Sequence, residues 1–140
     1  MKKSFLKIFL TVYMVTRLGF GSNTIHDQKH LDFWLESLKS SPMFLVRKNS
    51  ARQLGKMGDL KALPGLVTAL KDPHREVRLS SVQALSKILD GSTIDALEEV
   101  EQSDGDAQVR RAASQAIAKI KQRQKYISSL NEEFEKKGSF

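Results

Sequence analysis

Residues 72–85, DPHREVRLSSVQAL, contain the pattern that decides the fold. A turn-forming Asp-Pro pair is followed by VRLSSVQAL (77–85), in which apolar and small residues recur every three to four positions, as on one side of an α-helix. Two further segments repeat this pattern, VRKNSARQL (46–54) and VRRAASQAI (109–117), so the Val-Arg pair recurs after 31 and then 32 residues. The chain therefore contains an internal repeat of about 31 residues.

The three segments share the same chemistry at equivalent positions. Four residues after each Val stands a small side chain, which lets a neighbouring helix approach closely: Ser50, Ser81 and Ala113. Large aliphatic side chains follow eight and eleven residues after the Val: Leu54, Leu85 and Ile117, then Met57, Ile88 and Ile120. These offsets return to one helical face, so each segment is predicted to be a helix that packs against its equivalents.

A second series of helices is predicted between the first. Each first helix is preceded by a Pro or Gly turn with capping residues, at Ser41-Pro42, Asp72-Pro73 and Asp104-Gly105-Asp106. Ahead of those turns run apolar stripes: Leu31, Trp34, Leu35 and Leu38; Leu63, Leu66, Val67 and Leu70; and Ile94, Leu97 and Val100. Each unit is therefore helix, turn, helix, turn, and no segment alternates as a strand would.

The pattern Asp-Pro-x-x-x-Val-Arg-x-x-Ser-x-x-Ala-Leu at 72–85 resembles the HEAT repeat, and more closely the short bacterial subtype also found in phycobilin lyases. The resemblance covers about Leu31 to Ile120. The outer units depart from it, with Ser41-Pro42 in place of Asp-Pro in the first and Gly105 in place of Pro in the third.

This resemblance implies an all-α fold, a right-handed α-solenoid of about three HEAT-like helix pairs with capping helices. First helices would line the convex side and second helices the concave side. The arginines of the Val-Arg pairs match a family position that usually bonds to neighbouring turns, so we expect a structural role for Arg47, Arg78 and Arg110. The units are expected at about 31–40 (a cap), 42–71, 73–103 and 105–137. Gln122 to Lys137, with Tyr126, Ile127, Leu130 and Phe134 on one face, is expected to be the closing second helix.

The first 22 residues have the order of a secretory signal peptide. A positive start, an apolar run at 5–15 and small residues at 19–22 follow one another, and residues 23–30 would then be a linker and 138–140 a tail. The formal net charge of +7 falls to +3 without this segment. We therefore expect an exported protein, periplasmic or secreted, with no stable membrane span in the mature chain; the alternative is a cytoplasmic protein.

Motifs for catalysis are missing from the sequence. It contains no Cys, no Gly-rich phosphate loop, no Gly-x-Ser-x-Gly motif and no His-Glu pair of the kind that binds di-iron in some HEAT-like enzymes. His26 and His30 share the i, i+4 spacing but lack a third ligand. We therefore expect no catalytic residues, no metal, no cofactor and no enzymatic activity.

The expected function is a protein–protein interaction scaffold or adaptor that binds a protein or peptide partner on its concave face. Outward positions of the second helices would line that face: Glu36, Lys61, Pro64, Thr68, Lys71, Asp95, Glu99 and Gln102. Trp34 would add a binding residue if exposed, or pack in the cap if buried.

An accessory enzyme subunit, lyase-like or chaperone-like, is the alternative to the scaffold. Nucleic acid is not expected, although the third unit is basic at Arg110, Arg111, Lys119, Lys121, Arg123 and Lys125. The oligomeric state is left open.

Overall fold

The structure, a computed structural model, describes residues 24–138, and all regular structure in that range is helical. Six α-helices follow one another: α1 Thr24–Ser40, α2 Phe44–Met57, α3 Leu63–Ala69, α4 Arg75–Ile88, α5 Ile94–Ser103 and α6 Ala107–Gly138. Short 3₁₀ turns at Leu60–Ala62 and Gly91–Thr93 lead into α3 and α5. The expected all-α class is confirmed.

The chain divides into two units between His30 and Leu31, and the packing described below is that of the unit from Leu31 onward. Residues 24–30 belong to α1, whereas a linker was expected at 23–30. The physical reason is local: no Gly or Pro interrupts residues 24–40, and Asp27 in the first turn interacts favourably with the helix dipole.

The helices from Leu31 onward pack as repeated pairs. The first helices α2, α4 and α6 lie side by side, α3 packs against α4, and α5 packs against α6. Val77, Leu85 and Ile120 are inaccessible to solvent at the helix contacts, as the repeat predicted. Each unit buries the apolar face of its neighbour, which is the arrangement of an α-solenoid.

The first two units turn from first to second helix in the same way. Gly58 and Leu89, which are equivalent in the repeat, both adopt the left-handed conformation, with φ of 67° and 59°. Their N–H groups donate to the carbonyls of Leu54 and Leu85 and end the helices. The next residue, Asp59 or Asp90, accepts a hydrogen bond from the backbone N–H two residues on and starts the 3₁₀ turn.

The third unit lacks this turn, and the expectation of a separate closing helix at Gln122–Lys137 is wrong. Helix α6 continues for 32 residues from Ala107 to Gly138. Lys121 and Gln122 occupy the positions of the left-handed residue and the capping Asp, and both are good helix formers. Because neither residue caps or interrupts a helix, the helix continues through this position.

One side of α6 is also more polar and more exposed than the equivalent side of α4. Val82 of α4 is fully buried, but the equivalent residue of α6 is Ser114, which is exposed, and Arg111 and Gln115 beside it are exposed as well. At this position of the repeat, α6 is therefore polar and exposed where α4 is apolar and buried.

We expect Gly55→Ala to destabilise the protein, although Ala normally favours a helix over Gly by about 1 kcal/mol. A Cβ at Gly55 on α2 would lie 2.6 Å from Cα of Ala84 and 2.7 Å from its Cβ on α4. The two helices would have to separate, at a cost of about 1–3 kcal/mol. Thermal unfolding followed by circular dichroism measures this change.

Gly105→Ala is the matched control, because nothing lies within 4 Å of a Cβ built there. Its midpoint should stay within a few degrees of the wild type or rise slightly. Equal midpoints for the two variants would contradict the close contact between α2 and α4.

The expected signal peptide, residues 1–22, lies outside the described residues, and export remains a prediction. Cleavage near Ser22 would leave a mature chain that begins around Asn23 or Thr24. Mass spectrometry of the mature protein tests this, and an intact Met1 would contradict it. Among residues 24–138, no helix combines the length and the apolar character needed to cross a membrane.

Candidate functional site

A groove of about 940 Å³ lies between residues 32–39 of α1 and residues 64–73 at α3 and the following turn. Its apolar lining comes from both helices: Leu35, Leu38, Pro64, Gly65 and Ala69. Gly65 shapes this lining, because a Cβ there would lie 2.9 Å from Cδ2 of Leu35. The absence of a side chain at Gly65 thus lets Leu35 lie across α3. An apolar groove with a few polar groups at its edge is the usual form of a binding site.

Charged side chains of both signs surround this lining. Asp32, Glu36 and Lys39 project from α1, and Lys71 stands at the end of α3. Lys71 also forms an exposed ion pair with Glu99 of α5, with Nζ 3.2 Å from Oε1. The edge therefore offers carboxylates for cationic groups and ammonium groups for anionic ones.

Arg47 and Asp72 close one end of the groove with a bidentate ion pair. Arg47 Nε donates to Asp72 Oδ2 at 2.7 Å, and its Nη2 donates to Oδ1 at 3.0 Å. Its Nη1 donates to the backbone carbonyl of Ser41 at 2.8 Å. One guanidinium thus links the turn of its own unit to the turn of the next.

The second unit repeats this contact. Arg78 donates to the two carboxylate oxygens of Asp104 at 2.7 and 3.0 Å, and to the backbone carbonyl of Asp72 at 2.9 Å. Arg110 donates to the Asp104 carbonyl at 2.6 Å. The structure therefore confirms the expected structural role of these arginines, although within residues 24–138 Arg110 bonds to the preceding turn alone and not to a carboxylate of a following one.

The two ion pairs, Arg47–Asp72 and Arg78–Asp104, form an Arg–Asp ladder along the repeats. Both of its carboxylates, those of Asp72 and Asp104, have lowered pKa values. Burial by itself raises the pKa of Asp72, but hydrogen bonds from Arg47 and from the His74 backbone N–H outweigh it and leave the pKa below its ordinary value. Burial opposes Arg78 and the Asp106 backbone N–H in the same way at Asp104, whose pKa is also lowered. Both groups are therefore ionised and paired at neutral pH.

Acid should weaken the fold through these two groups. A carboxyl whose folded pKa is lower than its unfolded pKa contributes stability above the unfolded value of about 4, and that contribution is lost as the pH falls through the folded pKa. We expect the thermal midpoint to fall as the pH is lowered from 5 toward about 2. Asp72→Asn/Asp104→Asn should show a shallower pH dependence in the same circular dichroism melts. Parallel curves for the two proteins would contradict the ladder.

Four of the predicted partner-binding residues line the groove: Glu36, Pro64, Thr68 and Lys71. Glu99 lines a smaller groove of about 150 Å³ between α3 and α5, to which Lys71 also contributes. Lys61, Asp95 and Gln102 are exposed but line neither groove. The structure therefore brings together about half of the predicted set.

Trp34 lies apart from both grooves. It is partly buried, packs against the core, and meets the ring of Phe33 edge-on at 4.9 Å. Of the two roles expected for Trp34, the structure therefore shows packing in the cap and not an exposed binding residue.

Sequence reasoning missed part of the groove, in particular Asp32, Lys39 and Gly65. Leu35 and Leu38 were assigned wholly to the apolar stripe of α1, although they also form the lining. A signal was present at Pro64-Gly65, because a glycine inside a predicted helix marks a place where another group comes close.

The basic third unit uses several of its cations internally. Arg110 bonds to the Asp104 carbonyl, Lys121 pairs with Glu98 at 3.1 Å, and Arg123 donates to the Ile88 carbonyl at 3.3 Å. Within residues 24–138, no three His, Cys, Asp or Glu side chains are placed to hold a metal ion.

Two known proteins are similar to this chain over its repeats. The phycocyanobilin lyase subunit alpha of Picosynechococcus sp. is 34% identical over 85 residues, which cover 56% of this chain and 32% of the relative. The protein of the same name from Nostoc sp. is 42% identical over 52 residues, which cover 37% of this chain and 19% of the relative. The chain thus matches about a third or less of the length of these relatives.

These relatives correct one expectation from the sequence. The absence of catalytic motifs predicted a chain without enzymatic activity, but both relatives are named as subunits of a lyase, in line with the alternative of an accessory enzyme subunit. A subunit can support a reaction through the surface that it presents, without a local nucleophile or phosphate loop, so a search for catalytic motifs does not detect such a role.

The family assignment rests on a longer match. A family model described as HEAT repeats matches residues 31–127, which include α2 to α5 and the part of α6 that packs in the solenoid. With the repeated helix pairs and the Arg–Asp ladder, this match shows that the chain belongs to the HEAT-repeat family.

Proposed function

We propose that this chain is an accessory subunit of a lyase-type assembly, and that it binds a component of that assembly in the groove between α1 and α3. The observation that carries the proposal is the similarity of its repeats to two phycocyanobilin lyase alpha subunits. The groove supports it, because 940 Å³ is large enough for an elongated organic molecule or a segment of a partner protein.

The chemistry of the groove suits a molecule such as phycocyanobilin, an elongated chromophore with carboxylate groups. Leu35, Leu38 and Pro64 would contact its apolar skeleton. Lys39 and Lys71 lie where they could pair with carboxylates, and Asp32 or Glu36 could accept hydrogen bonds from ring N–H groups.

A titration with phycocyanobilin tests the proposal. The visible absorption spectrum of the bilin should change when the full chain is added, and the bilin should co-elute with the chain in gel filtration. Thr68→Trp should reduce this binding at least tenfold, because Thr68 is an exposed residue that lines the groove. Gln102→Trp on α5 is the matched control, since Gln102 is exposed outside the groove.

A scaffold for a protein or peptide partner is the second candidate, favoured by the mixed charge around the groove. Affinity purification of the tagged wild type, Thr68→Trp and Gln102→Trp proteins separates the two. The scaffold would be favoured by a protein partner that co-purifies with the wild type and with Gln102→Trp but not with Thr68→Trp. The activity of that partner should not depend on bilin. Absence of bilin binding together with equal partner recovery for all three proteins would overturn the proposed use of the groove.

A further inference from the structure

A groove of about 590 Å³ lies between the end of α4 and the middle of α6, and it shares no lining residue with the groove between α1 and α3. Its lining includes Lys87 and Leu89 at the end of α4, and Lys119, Gln122, Arg123 and Tyr126 on α6. The four residues of α6 lie zero, three, four and seven positions along the helix, so they share one helical face. A groove of this volume is in the range of sites for small molecules.

Cations line this groove, and no carboxylate does. Lys87 and Lys119 are exposed, and in the described part of the chain neither forms an ion pair or a side-chain hydrogen bond. Arg123 donates from Nη1 to a backbone carbonyl at the end of α4 at 3.3 Å, which leaves Nε and Nη2 for another acceptor. Asp90 is close enough for the charge of Arg123 to contribute to its lowered pKa, but hydrogen bonds from Ser92 contribute more, and Asp90 does not line the groove.

Helix ends do not account for all of these cations. Lys56, Lys87 and Lys119 are equivalent in the repeat. Lys56 and Lys87 lie in the last turns of α2 and α4, where a cation interacts favourably with the helix dipole. Lys119 lies in the interior of α6, which continues to Gly138, and the dipole effect falls off within the last turn. Its charge is therefore free to serve a ligand.

The equivalent positions beside α2 have a different chemistry, because the chain turns after α4 but not at the same place in α6. Gln122 corresponds to Asp90, Arg123 to Gly91 and Tyr126 to Ile94. Those positions thus supply one acidic side chain, and neither a guanidinium nor an aromatic ring. The groove between α4 and α6 is cationic because α6 continues as a helix and keeps this face beside the end of α4.

We propose that this groove binds a nucleotide, with the phosphates held by Lys87, Lys119 and Arg123 and the base against Tyr126. Lysine and arginine are the side chains that most often bind phosphate oxygens, and three cations without a carboxylate suit a diphosphate or triphosphate better than a single carboxylate. Tyr126 exposes 63% of its surface on the same helical face, about one turn beyond Arg123, where a planar base can stack on its ring.

Isothermal titration calorimetry of the full chain with adenosine triphosphate (ATP) at low salt tests this site. ATP should bind with a dissociation constant below about 1 mM. Inorganic tripolyphosphate should bind more weakly because it lacks a ring, and adenosine should bind more weakly because it lacks the phosphates. No saturable binding of ATP up to about 1 mM, or adenosine as tight as ATP, would overturn the proposal.

Lys87→Ala/Lys119→Ala should weaken ATP binding at least tenfold, because it removes two of the three cations of the groove. Lys56→Ala/Lys136→Ala is the matched control, since it removes two exposed lysines that do not line the groove. The control should bind ATP within about twofold of the wild type. Equal affinities for the two variants would show that ATP responds only to overall charge and would rule out this site.

Tyr126→Ser tests the contact with the base. It should weaken ATP binding about fivefold and leave tripolyphosphate binding unchanged. Equal losses for both ligands would refute the contact. All of these side chains are exposed, so the circular dichroism spectrum of each variant should match that of the wild type.

The nucleotide site is independent of the groove between α1 and α3. Thr68→Trp should therefore leave ATP binding unchanged, and phycocyanobilin should not displace ATP. Displacement of ATP by phycocyanobilin from the Thr68→Trp protein would place the chromophore between α4 and α6 and overturn the assignment to a nucleotide.

Discussion

Val82→Asp should abolish the cooperative thermal unfolding of this protein. Val82 is inaccessible to solvent on α4, the helix that packs against α2, α3 and α6. A carboxylate there would be buried without a partner, and its cost should exceed about 4 kcal/mol, a large part of the stability of a domain this size. Circular dichroism at 222 nm during heating measures the loss of the transition.

Gln83→Asp is the matched control, since it introduces the same carboxylate at the next, exposed residue. That variant should unfold within a few degrees of the wild type. A Val82→Asp protein with the same midpoint as Gln83→Asp would show that α4 is not the buried central helix of the stack.

Asp104→Ala should give the second-largest loss of stability, about 3 kcal/mol. The Asp104 side chain is 5% exposed and binds Arg78, which is 17% exposed, through two charge-assisted hydrogen bonds. Its removal also leaves the Asp106 backbone N–H without its acceptor at 2.8 Å. The free energy of unfolding from urea titrations measures the change.

Glu99→Ala is the matched control for Asp104→Ala, because it removes an ion-paired carboxylate that is exposed instead of buried. Glu99 pairs with Lys71, but the two side chains are 60% and 73% exposed, so the pair should contribute less than about 1 kcal/mol. Arg78→Ala and the Arg78→Ala/Asp104→Ala double variant complete a mutant cycle. Additive losses in that cycle would refute the direct coupling of Arg78 and Asp104.

Most of the fold was predictable because its units are short and similar. The recurrence of Val-Arg located the first helices, and the small and large columns identified buried residues such as Ser81 and Leu85. Val46 is only partly buried, whereas Val77 and Val109 are almost fully buried. The difference follows from position, since no first helix precedes α2 in the described part of the chain, from residue 24 onward.

The candidate site was predictable only in part. Register predicted exposed positions for Thr68 on α3 and for Lys71 in the turn after it, but it could not show that Leu35 crosses Gly65 to form the lining. That contact depends on the separation of α1 and α3, which no periodicity within one helix encodes.

The sequence by itself determined the helical class, the repeat and the turns at Gly58-Asp59 and Asp90-Gly91, because capping and apolar periodicity act over a few neighbouring residues. The tertiary structure decided which Asp each arginine binds, the groove between α1 and α3, and the exposure of Tyr126 and Phe134 on an uninterrupted α6. Those features depend on which surfaces meet in space. Residues about 25 positions apart, such as Arg47 and Asp72, become partners only when whole units stack.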